Sequence, residues 1–495
     1  MALHPRVTES ALAAELDINP VYVREEGKRV PRYQLPRGGM LPDTALQVVR
    51  DELILDGNAR LNLATFVTTW MEPQAERLMA ECFDKNMIDK DEYPQTAELE
   101  LRCVNMLADL WHAPAAAGEA ASAGETAGAA AGPASAAAGA GRAPAGATGC
   151  STTGSSEACM LGGMSLLWRW RARQRAAGAS TATPNLVMGA NVQVCWEKFC
   201  RYWEVEPRLV PMQPGRLHLT GPEAAARCDQ NTIGVVAVMG STMDGSYEPV
   251  GEISAHLDQL QADTGADIPV HVDGASGGFV APFLTPNLAW DFRVPRVASI
   301  NASGHKYGLV YPGVGWIVWR DAAALPDDLI FRVNYLGGEM PTFALNFSRP
   351  GGHIAAQYYN FLRLGFDGYR RVQQACQDVA TYLSGSIAEM GPFELLSDGT
   401  DLPVFAFRLR DPAAAGYTVF DLSERLRQRG WLVPAYTFPA NMQDTAVLRL
   451  VVRNGFSKDM AELLLDDLRQ QVSALAALPS PPGPLLPGQR SSFAH

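Results

Sequence analysis

A single lysine is the first residue with chemistry to offer. The stretch Ser299-Ile-Asn-Ala-Ser-Gly-His305-Lys306-Tyr307-Gly308 follows a mostly apolar run from Val294 to Ile300 and places that lysine, with a histidine and glycines around it, where a strand should end. Taken alone, a loop lysine reads equally well as a solvated surface charge. The preceding run changes the balance. Ile268-Pro-Val-His271-Val-Asp273-Gly-Ala275-Ser-Gly-Gly278 reads as a buried strand ending in a carboxylate and glycines. An ammonium and a carboxylate at neighbouring strand ends are what a pyridoxal phosphate (PLP) site requires. The lysine forms the Schiff base, and the acid keeps the pyridine nitrogen protonated so that the ring accepts electrons.

Other motifs compete or assist. Thr153-Gly-Ser155-Ser156-Glu157 opens a predicted helix running to about Ala177. Two hydroxyls beside free backbone N–H groups make an anion cradle, although the same residues read as an ordinary capping box. Asp56-Gly-Asn-Ala-Arg60-Leu-Asn62-Leu-Ala-Thr65-Phe66 is a polar turn beside an aromatic, or a plain helix-entry loop. Gly274-Ala-Ser276-Gly-Gly278 also fits the nucleophile elbow of a serine hydrolase, with His353 downstream. The following Phe279-Val-Ala-Pro-Phe283 is a poor start for the helix that an elbow needs. With no P-loop, no H-E-x-x-H and no Cys/His cluster in the sequence, neither nucleotide phosphate binding nor a metal is expected.

The elements that must position these residues follow from periodicity. Strands are predicted over 185–188, 208–212, 232–239, 268–273 and 314–319, and helices over 97–111, 192–203, 222–228 and 252–262. Near-continuous apolar strands alternating with helices imply an α/β domain with a mostly parallel sheet covered on both faces. Helices over 354–364 and 369–389 lead into a smaller α+β unit with strands 404–409, 431–433 and 447–452 and helices 419–429 and 458–474. The expected organisation is an N-terminal arm (1–60), a large domain (61–365), a small domain (366–478) and a tail (479–495). The arm carries helices over 9–16 and 43–53. Residues 113–149 turn abruptly to Ala, Gly, Pro and Ser and read as a flexible insertion.

With 495 residues, 47% of them hydrophobic, a large core and more than one domain are affordable, and a net charge of −12 argues against a nucleic-acid binder. Eight cysteines without a C-x-x-C pair suggest reduced thiols and a cytoplasmic location. No secretory leader is expected from the charged N-terminus, and no membrane span from the lack of any run of eighteen apolar residues.

In the order Leu55-Asp-Gly-Asn-Ala-Arg60, Asn62-Leu-Ala-Thr65-Phe66, Gly154-Ser-Ser-Glu-Ala158, Asp273-Gly-Ala-Ser-Gly-Gly278, Ser303-Gly-His-Lys306 and Asn346-Phe-Ser-Arg349, the chain resembles the PLP-dependent group II decarboxylases, from about Leu35 to Leu468. That resemblance implies the PLP-dependent transferase type I fold, aspartate aminotransferase-like, in a homodimer with shared active sites, as the minimal unit of a possible hexamer built as a trimer of dimers. It implies conversion of L-glutamate to 4-aminobutanoate and CO₂ with one proton consumed. Residue by residue it implies Lys306 as the Schiff-base lysine and Asp273 as partner of the ring nitrogen. Ser155, Ser156 and His305 would bind the cofactor phosphate, joined by Ser348 of the neighbouring subunit; Gln193 would stack on the ring, and Thr242 and Ala275 would contact it. Thr65 and Phe66 from one subunit, with Asn86 and Asp89 from the other, would hold the distal carboxylate, and Arg449 the α-carboxylate. His495 resembles a C-terminal histidine that closes the site in bacterial members. Glu197 stands where the bacterial acid-resistance members have histidine, so their pH response is not carried over. The basic, Trp-containing tail through which plant members bind calmodulin is absent, so calmodulin is not an expected partner. Asp89 beside a substrate carboxylate would require one of the two to hold a proton, which leads to an expected acidic optimum.

Overall fold

The computed structural model describes residues 32–114, 148–333 and 340–478. The predicted helix over 9–16, most of the Ala/Gly insertion, residues 334–339 and the tail with His495 lie outside the described residues. The described chain falls into two units, one ending at Asn58 and one beginning at Ala59. The first holds helix α1 (Pro42–Leu53), which starts on a proline whose missing N–H costs nothing in the first turn and which has no buried residue.

The second unit is built on a seven-stranded sheet in the order β1-β7-β6-β5-β4-β2-β3. Its strands are β1 (Thr148–Thr152), β2 (Asn185–Gly189), β3 (Glu206–Val210), β4 (Thr232–Val238), β5 (Val270–Asp273), β6 (Val297–Ala302) and β7 (Gly315–Trp319). Pairs β3-β2, β2-β4, β4-β5 and β5-β6 are parallel, while β7 runs against both β6 and β1. β4 reads Thr-Ile-Gly-Val-Val-Ala-Val and every residue is buried, as a strand covered on both faces demands. The covering elements are α2 (Pro73–Glu81), α3 (Pro94–Leu110), α4 (Ser155–Ala176), α5 (Val194–Tyr202), α6 (Gly221–Ala226) and α7 (Val250–Thr264). The carboxyl end of β5 and the turn after β6 lie side by side, because Asp273 pairs with Asn301 in register. Register alone therefore brings Asp273 and the loop carrying Lys306 together.

The long helix α8 (Gly352–Glu389) is broken at Gly365, whose φ of 57° and ψ of −173° suit glycine alone. The two predicted helices over 354–364 and 369–389 are its halves. Beyond it, a four-stranded antiparallel sheet, β10-β11-β13-β12, comprises β10 (Phe393–Leu395), β11 (Val404–Leu409), β12 (Ala435–Thr437) and β13 (Ala446–Val451). Helices α9 (Val419–Gln428), with a capping box between Thr418 and Asp421, and α10 (Lys458–Ala476) cover it. A two-stranded ribbon, β8 (Phe331–Val333) with β9 (Met340–Thr342), lies between the sheets in sequence.

Three expectations need correction. The insertion does not extend to Gly149, because Thr148 and Gly149 begin β1, paired with Trp319 and Val318. The strand expected at 431–433 is β12, at 435–437: Leu432 donates its N–H to the Leu61 carbonyl and accepts the Leu63 N–H on its own carbonyl, so it serves the segment leading to Phe66. The strand expected at 208–212 is β3, at 206–210.

Candidate active site

Asp273 ends β5 at 4% exposure. Its Oδ1 accepts from the Ala275 N–H at 3.1 Å and Asn301 Nδ2 at 3.0 Å, and its Oδ2 from Trp196 Nε1 at 2.9 Å and Cys159 Sγ at 3.6 Å. All four donors are neutral, so the carboxylate is hydrogen-bonded yet retains its charge for a cation. Cys159, Cys195 and Asp273 bring their ligand atoms within 4.8 Å of one another, a convergence that sequence spacing did not suggest. Burial pushes the Cys159 thiol well above its ordinary value, so the proton stays on sulfur and the trio acts as a hydrogen-bonding cluster.

Lys306 lies across from this carboxylate. Its Nζ is 3.2 Å from Ser276 Oγ and 5.2 Å from the centroid of the Phe66 ring. Burial lowers its pKa, partly opposed by Asp273, so the free amine is more accessible than in water. Ser276, the residue of the elbow-like motif, is 2% exposed and engaged by this lysine, and only short helical turns, Gly277–Phe279 and Ala281–Leu284, follow it. The backbone around the lysine is pinned by Thr68, whose N–H donates to the His305 carbonyl at 2.7 Å and whose hydroxyl donates to the Lys306 carbonyl at 2.6 Å.

Next to the lysine, the His305 ring lies against the start of α4. A Cβ on Gly154 would sit 2.9 Å from His305 Cε1, so glycine is required for this approach. Ser155 Oγ meets Ser303 Oγ at 2.6 Å, while Ser156 is exposed. The Gly313 N–H reaches His305 Nδ1 at 3.4 Å, which leaves the ring proton on Nε2. Burial and then the Lys306 charge push the His305 pKa down to about 4.

Arg449, on β13, closes the opposite side. Its Nη1 donates to the Thr242 carbonyl and its Nη2 to the Ala64 carbonyl at 2.7 Å. Its Cζ lies 4.8 Å from the Phe66 centroid and 5.6 Å from that of Tyr436, so Phe66 is faced by two cations. Thr65 takes the Val67 N–H on its hydroxyl, and Gln193 caps α5 through the Cys195 N–H at 2.9 Å, one turn from Trp196. Glu197 is exposed on the same turn.

Asn86 and Ser348 form a second group. They are hydrogen-bonded to each other at 3.3 Å, and Asn86 Oδ1 accepts the Arg349 N–H at 3.0 Å. Asp89 follows on the same turn, its N–H bonded to the Asn86 carbonyl. Arg349 is buried beside Ser151 and lies 3.9 Å from Glu100, and Glu157 of α4 accepts the N–H groups of Leu345 and Asn346. These anchors tie the 345–349 segment to the start of α4.

Sequence reading missed Trp196, Asn301 and Thr68, gave Ser303 no role, and weighed Ser276 only as a hydrolase nucleophile. Asn301 left a signal, since it and Ser299 are polar residues in a strand that is otherwise apolar; Trp196 left none.

A buried lysine amine, a strand-end carboxylate surrounded by neutral donors, and a helix start beside a histidine together suit a group with an aldehyde, a basic ring nitrogen and an anionic tail. PLP has all three, and the site is that of a PLP enzyme. The pyridoxal-dependent decarboxylase conserved domain matches residues 31–410. A glutamate decarboxylase of Aliivibrio fischeri is 53% identical over 451 residues, covering 91% of each chain. Glutamate decarboxylase 5 of Arabidopsis thaliana is 48% identical, covering 91% of this chain and 86% of its own. The solved glutamate decarboxylase of Lactobacillus brevis superposes with a TM-score of 0.83 at 45% identity, over 91% of this chain and 96% of that one. The chain belongs to the pyridoxal-dependent decarboxylase family and has its type I PLP fold.

Proposed function

We propose that the protein is a PLP-dependent carboxy-lyase that converts L-glutamate to 4-aminobutanoate and CO₂, taking up one proton per turnover. The observation that carries the reading is the convergence, within one chain, of Lys306, Asp273, Phe66 and Arg449; the relatives named above supply the choice of glutamate.

When bound, the cofactor accepts the electron pair left on Cα as CO₂ departs. Lys306 would hold it covalently, and Asp273 would partner its ring nitrogen. Ser155, Ser156 and His305, at the positive end of α4, would hold its phosphate, joined by Ser348 of the neighbouring subunit. Gln193 would stack on the ring, and Thr242 and Ala275 would contact it. Arg449 binds the α-carboxylate, and Thr65 and Phe66 bind the distal end of the substrate. Asn86 and Asp89 complete the distal grip across the dimer; the bond of Asn86 to the exposed Ser348, with Asp89 on the same turn, supports joint delivery to a partner's site. Phe66 shields the amine from water, which strengthens each charge interaction around it.

The division into large and small domains near residue 365 is supported by two separate sheets and the break at Gly365. A homodimer, assembling further into a hexamer, is the proposed state. All eight cysteines are unpaired, which suits the cytoplasm, and among the described residues no helix is long and apolar enough to cross a membrane. His495 is proposed to cap the site when activity is switched off. The test is twofold. Borohydride reduction of the yellow protein should fix the cofactor on the peptide containing Lys306, and CO₂ release across an amino-acid panel should be confined to glutamate. A colourless protein that takes up no PLP, or preference for another amino acid, refutes the proposal.

A further inference from the structure

Asp273 is the end of a longer polar chain. His271, two residues earlier on β5, has no exposed surface. Its Nδ1 meets Ser299 Oγ at 2.7 Å and its Nε2 meets Asn301 Oδ1 at 2.7 Å, both on β6. Asn301 in turn donates from Nδ2 to Asp273 Oδ1 at 3.0 Å. A carboxamide oxygen can only accept, so the bond to Asn301 fixes a proton on His271 Nε2. Burial depresses the His271 pKa and favours the neutral ring, whose Nδ1 then accepts the Ser299 hydroxyl. Every donor in the series points towards Asp273: Ser299 to His271, His271 to Asn301, Asn301 to the carboxylate. If Asn301 turned over, its oxygen would face the carboxylate and its NH₂ would face the His271 N–H, and both bonds would be lost. Trp196 encloses the same group, donating to Asp273 Oδ2 while its ring meets His271 edge-on at 5.0 Å between centroids.

We propose that His271, protonated on Nε2, is a positioning residue that locks the Asn301 carboxamide and thereby keeps Asp273 held as the acceptor for the cofactor's ring nitrogen. The proposal rests on the assignment of Asp273 to that nitrogen. It deepens that assignment by naming what fixes the donors around the acid: an outer partner that orients such a donor tunes the inner group.

The experiment uses apoprotein reconstituted with PLP carrying ¹⁵N in the ring. The nitrogen resonance reports whether that atom is protonated, and a fluorescence titration gives the dissociation constant. His271→Leu should move the resonance towards neutral pyridine and weaken PLP binding about tenfold or more, as expected for a lost bond to a charged group. His271→Gln, whose amide can accept from Ser299 and donate to Asn301, should stay close to the parent. Asn301→Asp, nearly isosteric but setting a second carboxylate against Asp273, should shift the resonance as His271→Leu does. A parent-like resonance in both His271→Leu and Asn301→Asp, beside a shifted one in Asp273→Asn, overturns the proposal. So does an equal shift in His271→Gln and His271→Leu, which would reduce the residue to packing. Should His271→Leu fail to fold, Asn301→Asp decides alone. An unmoved resonance in Asp273→Asn overturns instead the assignment of Asp273.

Discussion

Replacing Arg449 by lysine separates its support of the fold from its grip on substrate. The guanidinium is 9% exposed and is held by two backbone carbonyls and two aromatic faces, all uncharged. Among the described residues its Nε has no hydrogen-bond partner, so charge and donor capacity remain for an anion. Arg449→Met would orphan the carbonyls of Thr242 and Ala64 and remove both ring contacts. At about 1–3 kcal/mol for each of two buried orphans and about 0.5–2 kcal/mol for each of two cation–π contacts, the loss of roughly 3–10 kcal/mol would blur any kinetic reading. Arg449→Lys keeps the charge and one carbonyl, at about 1–2 kcal/mol. An ammonium cannot make the paired contact with a carboxylate that a guanidinium makes. If Arg449 grips the α-carboxylate, kcat/KM for glutamate should therefore fall by about 30- to 300-fold, or about 2–3.4 kcal/mol. The product 4-aminobutanoate lacks that carboxylate, so its inhibition constant should change less than about threefold, well inside 1 kcal/mol. CO₂ release, product inhibition and a thermal midpoint measure the three quantities. Equal losses for glutamate and 4-aminobutanoate, or an unchanged kcat/KM, would refute the assignment.

Further outcomes follow from the same geometry. Lys306→Ala should abolish borohydride-stable labelling and turnover while still binding some free PLP; retained labelling would place the covalent link elsewhere. His305 has a folded pKa of about 4 against an ordinary value near 6.5. Between these values the unfolded chain takes up a proton that the folded chain refuses, so apoprotein stability should rise with pH across that window, by about 3 kcal/mol. Urea midpoints should follow this slope and His305→Gln should flatten it; a slope unchanged in the variant would exclude His305 as its source. Glu100 is 7% exposed, accepts the Ser151 N–H and sits beside buried Arg349. Glu100→Ala should cost about 3–5 kcal/mol by stranding that guanidinium, and adding Arg349→Met should recover part of the loss. Strictly additive midpoints would show that the two charges do not interact. Activity should fall from acid towards neutral pH, and a flat profile would show that no carboxyl at the distal grip needs its proton.

Where burial is continuous, the sequence pattern was enough. β4 and β11 were legible because every position of the first and all but Arg408 of the second are buried, and the break in α8 was legible because a glycine interrupts an amphipathic repeat. β1 was not, since Thr-Gly-Cys-Ser-Thr carries no apolar signal and owes its strand form to β7 beside it. Leu432 misled for the opposite reason: it is apolar, but its hydrogen bonds go to a segment far earlier in the chain. At the site, Lys306 and Asp273 announced themselves as charges at strand ends. The direction of the donors around Asp273 did not, because it depends on register between β5 and β6 and on the reach of Trp196 from α5.

The stitching of residues 64–68 to Lys306 and Arg449 sets an order of events for synthesis. The wall containing Phe66 leaves the ribosome long before its anchor on β13, and the lysine emerges between them. A nascent chain that stops short of β13 therefore has the amine without the enclosure that dries it and lowers its basicity. Capture of the vitamin-derived aldehyde must then wait until translation is nearly complete, and C-terminal truncations reaching β13 should accumulate as chains that bleach on dialysis.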